Sequence, residues 1–123
     1  MNRVLIVDDA ATVRLYYRDT LEAGGFTVAE AVNGIEALEK ALLHPFDLYV
    51  VDVNMPRLDG YGFLRELRGR DLPQAPAIMI TTEAELRDRD RAYAAGANCY
   101  LAKPVKPGQL LDHVRLLLGG GRP

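Results

Sequence analysis

The stretch Val50-Val51-Asp52-Val53-Asn54-Met55-Pro56 places an acidic residue at the end of an apolar run that begins near residue 46. Pro56 and the following Asp59-Gly60 pair favour a turn directly after this run. The stretch therefore predicts a buried strand that ends at Asp52. A buried carboxylate is unfavourable unless a charged group faces it. Open α/β sheets bind ligands at the carboxyl ends of parallel strands, so the stretch also indicates a site; an aspartate that merely caps the next turn is the alternative.

The rest of the chain alternates between short apolar runs and amphipathic segments. The predicted strands cover residues 3–7, 26–31, 46–51, 77–81 and 98–102. The predicted helices cover residues 10–23, the interval between Asn33 and His44, 60–68, 85–94 and 107–118. In the fourth helix, Leu86, Ala92 and Tyr93 are expected to face the core. Strands that alternate with helices in this way predict a parallel sheet covered on both faces, a doubly wound α/β fold.

Composition and charge exclude several classes of protein. With 123 residues, of which 49% are hydrophobic and 26% charged, the chain is long enough for one globular domain. We expect that domain to cover residues 1–118, with a flexible tail over residues 119–123. A net charge of −2 provides no basic surface for nucleic acid, and a single cysteine excludes an internal disulfide and a cysteine-based zinc site. No apolar run approaches the ~20 residues of a spanning helix, and no secretory signal precedes the first strand, so we expect a cytoplasmic protein without membrane insertion.

Polar and charged side chains follow four of the five predicted strands. They are Asp8 and Asp9 after the first strand, Asp52 at the third, Thr81 at the fourth and Lys103 after the fifth. Right-handed crossovers bring the carboxyl ends of these strands to one edge of the sheet. Three carboxylates within ~4–5 Å of one another repel by roughly 1 kcal/mol per pair in water, and by more in a drier site. One lysine does not balance three negative charges, so we expect a divalent cation.

The donor set indicates which cation and which ligand would bind. Oxygen ligands without histidine or cysteine suit Mg²⁺, with Mn²⁺ as an alternative. A metal, a hydroxyl and an ammonium group beside an aspartate suit a phosphoryl group, which the aspartate would accept covalently. Taken singly, each residue has an ordinary explanation as a turn, a strand end or a solvated loop lysine. Their placement on one edge favours a site.

In these motifs the chain resembles the receiver domain of two-component response regulators, in its single-domain CheY-like form. The resemblance is carried by Asp8-Asp9, the run from Asp52 to Gly60, Thr81, and Tyr100-Leu101-Ala102-Lys103-Pro104. It covers residues 3–118 and implies a flavodoxin-like fold with strand order 2-1-3-4-5 and five helices on two faces. It also implies a phosphorelay signalling switch rather than an enzyme with a substrate of its own.

The resemblance implies a role for each acidic residue of the site. Asp52 would accept the phosphoryl group. Asp9, Asp52 and the backbone carbonyl of Asn54 would bind Mg²⁺ directly, and Asp8 would act largely through water.

The resemblance also assigns the groups that would respond to phosphorylation. Thr81 would donate a hydrogen bond to a phosphoryl oxygen, and Lys103 would pair with the phosphoryl charge. The bond between Lys103 and Pro104 would be cis, which would direct Lys103 into the pocket. Tyr100 would be an aromatic switch that turns inward when Thr81 moves; an ordinary half-buried strand tyrosine is the alternative.

The resemblance implies that two further positions set the lifetime of the phosphorylated form. They are Asn54, two residues after Asp52, and Glu83, two residues after Thr81. This polar and acidic pair predicts rapid hydrolysis. Thr82 departs from the small residue usual after the switch threonine, and its methyl group would crowd the entrance of the pocket.

The implied partners are a sensor histidine kinase or phosphotransfer protein, and a downstream protein target. The target would bind the face formed by the fourth helix, the fifth strand and the last helix. Three leucines of the last helix, Leu111, Leu116 and Leu118, exceed what one helix face buries, so they predict a patch for a partner or a homodimer; a wide core stripe is the alternative. The chain is expected to make no direct contact with nucleic acid.

Alternative functions differ in what they require of the sequence. An aspartyl-phosphate phosphohydrolase would share the nucleophile and Mg²⁺, but it would normally need a carboxylate where Asn54 stands. A flavin-binding electron carrier would need a Ser/Thr/Gly-rich phosphate loop where Asp8-Asp9 stand. Within the resemblance, the chain is either a free-standing switch or a receiver cut from a transcription factor or effector enzyme.

Overall fold

The computed structural model describes residues 2–82 and 89–119. Its strands are β1 (Arg3–Val7), β2 (Thr27–Ala31), β3 (Leu48–Asp52), β4 (Ala77–Thr81) and β5 (Cys99–Ala102). Its helices are α1 (Ala11–Ala23), α2 (Gly34–Leu43), α3 (Gly60–Arg68), α4 (Arg89–Ala95) and α5 (Pro107–Leu118). The paired strands are all parallel, in the order β2-β1-β3-β4-β5. The predicted doubly wound α/β fold is confirmed, including the strand order that only the resemblance implied.

Helices cover both faces of this sheet. On one face α1 and α5 pack in a common cluster that includes Tyr17 and Leu110. On the other face α2, α3 and α4 contribute Ala37, Ala41, Phe63, Leu64, Leu67, Ala92 and Ala95 to a second cluster. Within β3, Val50 belongs to the first cluster and Val51 to the second. Both faces of each central strand are therefore buried, which explains why these strands are continuous apolar runs.

Side-chain caps fix the start of the two helices that border the candidate site. The Asn33 side chain accepts a hydrogen bond from the Glu36 amide at 2.8 Å, and the Glu36 carboxylate accepts one from the Val32 amide. This arrangement resembles a capping box, but the Glu36 carboxylate is bonded to the amide before the N-cap residue rather than to the Asn33 amide. At α3, Asp59 Oδ1 accepts a hydrogen bond from the Gly62 amide at 2.8 Å. The Asp59-Gly60 pair therefore ends the loop after β3 by starting a helix.

Strand β3 begins at Leu48, two residues later than predicted. Phe46 is buried, but its ring packs against Tyr49 and beneath the Arg3 guanidinium instead of joining the ladder. The Asp47 carboxylate accepts a hydrogen bond from the Arg3 amide at 2.7 Å. Local side-chain contacts, which an apolar run does not reveal, therefore set this boundary.

The fourth helix differs more from its prediction. It is described from Arg89 to Ala95, and the predicted helical residues 85–88, Leu86 among them, lie outside the described part of the chain. Ala92 is fully buried as predicted. The prediction that Tyr93 faces the core is wrong, because 46% of this residue is exposed. Consecutive helical residues point about 100° apart, so the narrow face that buries Ala92 cannot also bury its neighbour. Among the described residues, no helix is long and apolar enough to cross a membrane.

Candidate functional site

Strand register brings two acidic residues side by side at the carboxyl edge of the sheet. Strands β1 and β3 are neighbours, and Val7 is paired with Val51. The next residue along the chain is an aspartate in each case: Asp8 follows β1, and Asp52 is the last residue of β3. Both are buried, with relative exposures of 1% and 5%. The sequence-based placement of these two carboxylates at one edge is observed.

A third carboxylate, which is exposed to solvent, lies beside this buried pair. Asp9 is exposed, and one carboxylate oxygen from each of Asp8, Asp9 and Asp52 lies within 4.8 Å of the others. Within residues 2–82 and 89–119, these are the only three acidic, histidine or cysteine residues clustered closely enough for a metal ion. The cluster therefore has two buried ligand groups and one at its mouth.

Lys103 supplies the positive charge of the site. Its Nζ lies 3.0 Å from Asp52 Oδ1 and 3.7 Å from Asp8 Oδ2. Its backbone amide donates a hydrogen bond to the carbonyl of Thr81 at 2.6 Å, which ties the loop after β5 to the end of β4. The peptide bond between Lys103 and Pro104 is cis, the geometry that the resemblance implied. One ammonium group thus faces both buried carboxylates.

Burial dominates the ionisation of these groups. It raises the pKa of Asp52 from 3.8 to about 6, against the hydrogen bond from Lys103 and with the added repulsion of Asp8. Burial likewise raises the pKa of Asp8, although the Ala10 amide opposes this shift. For Lys103, burial lowers the pKa, but the hydrogen bond and charge of Asp52 outweigh it and the net shift is upward. At neutral pH the site therefore holds destabilised carboxylates beside a firmly protonated lysine.

The donor atoms of the cluster fit a hard divalent cation. Asp8 Oδ1 accepts a hydrogen bond from the Ala10 amide at 2.9 Å, whereas the buried Asp8 Oδ2 accepts none from the described residues. The Lys103 ammonium faces this oxygen at 3.7 Å, beyond hydrogen-bond distance, so a closer cation or an ordered water is needed to offset the cost of burying it. Three carboxylates without nitrogen or sulfur ligands match the preference of Mg²⁺ for oxygen. The residues present therefore fit a magnesium ion.

The loop after β3 is held close to the backbone of Asp52. The Gly60 amide donates a hydrogen bond to the Val53 carbonyl at 2.9 Å. A Cβ atom at Gly60 would lie 2.4 Å from the Asp52 carbonyl oxygen, so no other residue fits there without moving the loop. Leu58 has φ of 117°, a conformation that L residues rarely adopt. Asn54 lies in this loop and is exposed.

The predicted switch residues occupy neighbouring strands. Thr81 is fully buried at the end of β4, and Tyr100 of β5 is 8% exposed. Tyr100 is paired with Met79 across the sheet and belongs to the same buried cluster. The structure therefore shows Tyr100 turned inward. Thr82 is exposed, and Glu83 lies outside the described residues.

Three residues of α1 border the site and were missed by sequence reasoning. The Arg14 guanidinium donates to the Asp8 carbonyl at 2.7 Å, and the Tyr16 hydroxyl donates to the Val105 carbonyl at 2.7 Å. Burial raises the pKa of Tyr17, and the charges of Asp8 and Asp52 add to the shift. Arg14 lies in the first turn of α1, close in sequence to Asp8 and Asp9, and this proximity is the signal that could have indicated it. Nothing in the sequence indicates a contact to Val105.

The comparisons with known proteins agree on one family. Residues 4–115 match the family described as the response regulator receiver domain. The response regulator MprA of Mycobacterium ulcerans is 42% identical over 118 residues, which are 94% of this chain and 50% of that protein. The transcriptional regulatory protein ResD of Bacillus subtilis is 35% identical over 94% of this chain and 48% of its own length. The chain spans about half the length of such relatives.

Solved structures of similar proteins share the fold. The chemotaxis protein CheY4 of Vibrio cholerae is 36% identical, with a TM-score of 0.89, over 96% of this chain and 99% of its own. The receiver domain of the sensor histidine kinase PA1611 of Pseudomonas aeruginosa is 31% identical, with a TM-score of 0.88, over 96% of this chain and 98% of its own. That structure has a magnesium ion coordinated in its active site cleft.

Proposed function

This chain belongs to the response regulator receiver domain family, and we propose that it is a phosphorylation switch in which Asp52 accepts a phosphoryl group. Receiver domains act as signalling switches in two-component systems rather than as classical enzymes, and they partner with histidine kinases and downstream targets. The observation that carries the proposal is the position of Lys103, whose Nζ lies 3.0 Å from the buried Asp52 Oδ1 within the three-carboxylate cluster.

Asp52 is the nucleophile of the proposed reaction. A carboxylate oxygen of Asp52 attacks the phosphorus of a phosphohistidine on the kinase or phosphotransfer protein. The bond from phosphorus to the imidazole nitrogen breaks, and the imidazole leaves and takes up a proton. The burial that raises the pKa of Asp52 also strips water from the attacking oxygen.

Magnesium is the proposed cofactor, and Mn²⁺ would be accepted in its place. Receiver domains bind Mg²⁺ at an acidic pocket, and the magnesium in the PA1611 receiver structure supports the same assignment here. Asp9, Asp52 and the Asn54 carbonyl would hold the ion directly, with Asp8 bonded through water. When bound, the ion supplies positive charge that offsets the repulsion between a phosphoryl group and the carboxylates.

Lys103 and Thr81 are the proposed contacts to the transferred group. The Lys103 ammonium, already at Asp52 Oδ1, would pair with a phosphoryl oxygen, and the Thr81 hydroxyl would donate to another. Only contacts that are stronger after phosphorylation shift the population toward the active state. Since the loop after β5 is hydrogen-bonded to Thr81, movement of either residue would reach Tyr100 on the adjacent strand.

Asn54 and Glu83 are proposed to set the rate at which the phosphoryl group is lost. Asn54 is exposed in the loop after Asp52, where it would meet the attacking water. A carboxamide at this position, rather than a carboxylate, also favours the switch over a phosphohydrolase, which would need a second acid there. Thr82 is exposed beside the pocket and would slow the entry of small phosphodonors.

The proposed output surface is the face of α4, β5 and α5. Leu116 of α5 is 77% exposed, while Leu111 and Leu118 are partly buried against the core. A large exposed leucine on this face suits a protein partner, either a downstream target or a second copy of the chain. The absence of a basic charge excess argues against direct contact with nucleic acid.

We propose two kinds of protein in which this switch would act. The coverage of MprA and ResD, at about half of each protein, favours a receiver joined to an output domain. The similarity to CheY4, a chemotaxis protein, supports a role of the chemotaxis type. The assignment of Asp52 is the same in both.

Beryllofluoride, a mimic of the phosphoryl group, tests the proposed site directly. With Mg²⁺ and beryllofluoride, we expect amide NMR signals of Thr81, Tyr100 and Lys103 to shift, because these residues would contact or adjoin the bound group. The Asp52→Asn variant is expected to show no such shift. Equal shifts in the variant and the unmodified protein would contradict the proposal.

A further inference from the structure

A hydroxyl group on α1 is hydrogen-bonded to the loop that follows β5. The Tyr16 hydroxyl donates a hydrogen bond to the Val105 carbonyl at 2.7 Å, across 89 positions of sequence. Tyr16 lies on the helix that follows the acidic pair Asp8-Asp9, and Val105 lies two residues after Lys103. The bond therefore joins the acidic side of the pocket to its basic side.

The acidic end of this bridge is firmly held. The Arg14 guanidinium donates to the Asp8 carbonyl at 2.7 Å, and the Ala10 amide donates to the Asp8 carboxylate. Tyr17, the neighbour of Tyr16, is buried in the cluster formed by α1 and α5. A group on this helix consequently has a fixed position relative to Asp8.

At the basic end of the bridge, the described residues show one contact of the Lys103 backbone with the sheet and the burial of the Val105 side chain. The Lys103 amide is bonded to the Thr81 carbonyl, and the Val105 side chain is buried in the core cluster. A cavity of about 260 Å³ separates this segment from α1, with Val13, Tyr16, Tyr17, Lys103, Pro104 and Val105 as its lining. Open space beside the segment leaves room for it to move, and the Tyr16 hydroxyl spans that space.

We propose that Tyr16 is a positioning residue for Lys103. By fixing the Val105 carbonyl to α1, its hydroxyl keeps the Lys103 ammonium between Asp52 and Asp8, where the distances are 3.0 Å and 3.7 Å. Tyr16 itself does not touch the reacting atoms. The proposal rests on the role of Lys103 in the proposed function and adds the group that holds it in place.

The test compares two hydroxyl deletions on the same helix. Tyr16→Phe removes the hydroxyl that donates to the Val105 carbonyl. Thr20→Val removes the hydroxyl that donates to the Tyr16 carbonyl at 2.9 Å within α1. For Tyr16→Phe we expect the rate of phosphoryl uptake from acetyl phosphate to fall about 3- to 10-fold, the range equivalent to one neutral hydrogen bond. For Thr20→Val we expect a change of less than about twofold, since its bond is local to α1.

A double-mutant cycle separates positioning from a general loss of structure. If Tyr16 acts through Lys103, then Tyr16→Phe has no further effect on phosphoryl uptake when Lys103 is already alanine. An equal slowing in the presence and absence of Lys103, or equal rates for Tyr16→Phe and the unmodified protein, would overturn the proposal.

A second readout does not depend on phosphoryl transfer. We expect the side-chain NMR signals of Lys103 to shift toward those of a solvated lysine in Tyr16→Phe and to stay unchanged in Thr20→Val. An unmodified protein that takes up no phosphoryl group would refute the proposed function, and the Lys103 signals would still decide the role of Tyr16. Unchanged Lys103 signals in Tyr16→Phe would refute that role by themselves.

Discussion

The amide of Gly34 donates a hydrogen bond to the carbonyl of Leu58 at 3.2 Å, and this contact leaves no room for a side chain at position 34. A Cβ atom on Gly34 would lie 2.4 Å from the Leu58 carbonyl oxygen and 2.9 Å from its Cβ. Leu58 adopts a positive φ and is partly buried against the core. The first turn of α2 therefore holds the loop that follows Asp52 in an unfavourable backbone conformation.

Gly34→Ala is expected to destabilise the protein. Because the clash is with backbone atoms, the loop must move, and we expect a loss of about 1–3 kcal/mol in the free energy of unfolding. Gly108→Ala is the matched control, since a Cβ there has no atom within 4 Å; we expect it to stay within about 0.5 kcal/mol of the unmodified protein. Urea denaturation measures both, and equal stabilities for the two variants would contradict the account.

The buried Asp52 is expected to make stability depend on pH in the absence of divalent cations. Its pKa is about 6 in the folded protein against 3.8 ordinarily, so between these values the native state binds more protons than the unfolded state. The free energy of unfolding then falls as pH rises through this window. Asp52→Asn removes this contribution and should be more stable at pH ~7 by on the order of 1–2 kcal/mol.

Asp8 is retained in that variant, and its raised pKa acts in the same direction, so the slope should decrease without vanishing. Thermal denaturation between pH ~4 and ~7, with chelator present, gives the comparison. A slope that Asp52→Asn leaves unchanged would show that this carboxyl is not destabilised by burial.

Magnesium is expected to raise the melting temperature of the protein. An ion that binds only the folded state at one hundred times its Kd adds about 2.7 kcal/mol. Asp9→Asn removes a proposed ligand and should abolish most of this gain, whereas Asp19→Asn removes an exposed carboxylate of α1 and should keep it. Differential scanning calorimetry with and without Mg²⁺ checks this. A gain of the same size in both variants would argue against binding at the cluster.

Leu116 is expected to take part in association of the activated protein. It is 77% exposed on α5, on the proposed output face. We expect the beryllofluoride-activated protein to sediment as a dimer and Leu116→Asp to stay monomeric. Leu15→Asp, at a leucine that is 57% exposed on α1, should leave the dimer intact. A monomer under all conditions would restrict this face to other partners.

Sequence patterns predicted the fold because the residues that form both layers of the core occur in short local apolar runs. Each strand is a short apolar segment between turn residues, and each helix has its own apolar stripe. Strand order does not follow from such local patterns, and here it came from the resemblance to receiver domains. Tyr93 shows the limit of the helical pattern, since the pattern assigns it to the core beside Ala92, whereas 46% of it is exposed.

The charged groups of the site were predictable because each one ends a strand. The contacts that hold them were not, because they join residues far apart in sequence. The bond from Tyr16 to Val105 and the contact of Gly34 with Leu58 depend on how helices settle on the sheet. Arg68 is a further example: its guanidinium is inserted between the Gly96 and Ala75 carbonyls, at 2.8 Å and 2.7 Å, although its sequence context is that of a surface helix end.

The central claim is that Asp52, within a cluster that binds magnesium, accepts a phosphoryl group. Intact-protein mass spectrometry after incubation with acetyl phosphate and Mg²⁺ tests it most directly, with chelator and the Asp52→Asn variant as controls. We expect the added mass of one phosphoryl group on the unmodified protein, localised to Asp52, and none with chelator or in the variant. No added mass on the unmodified protein, or the same mass on Asp52→Asn, would contradict it.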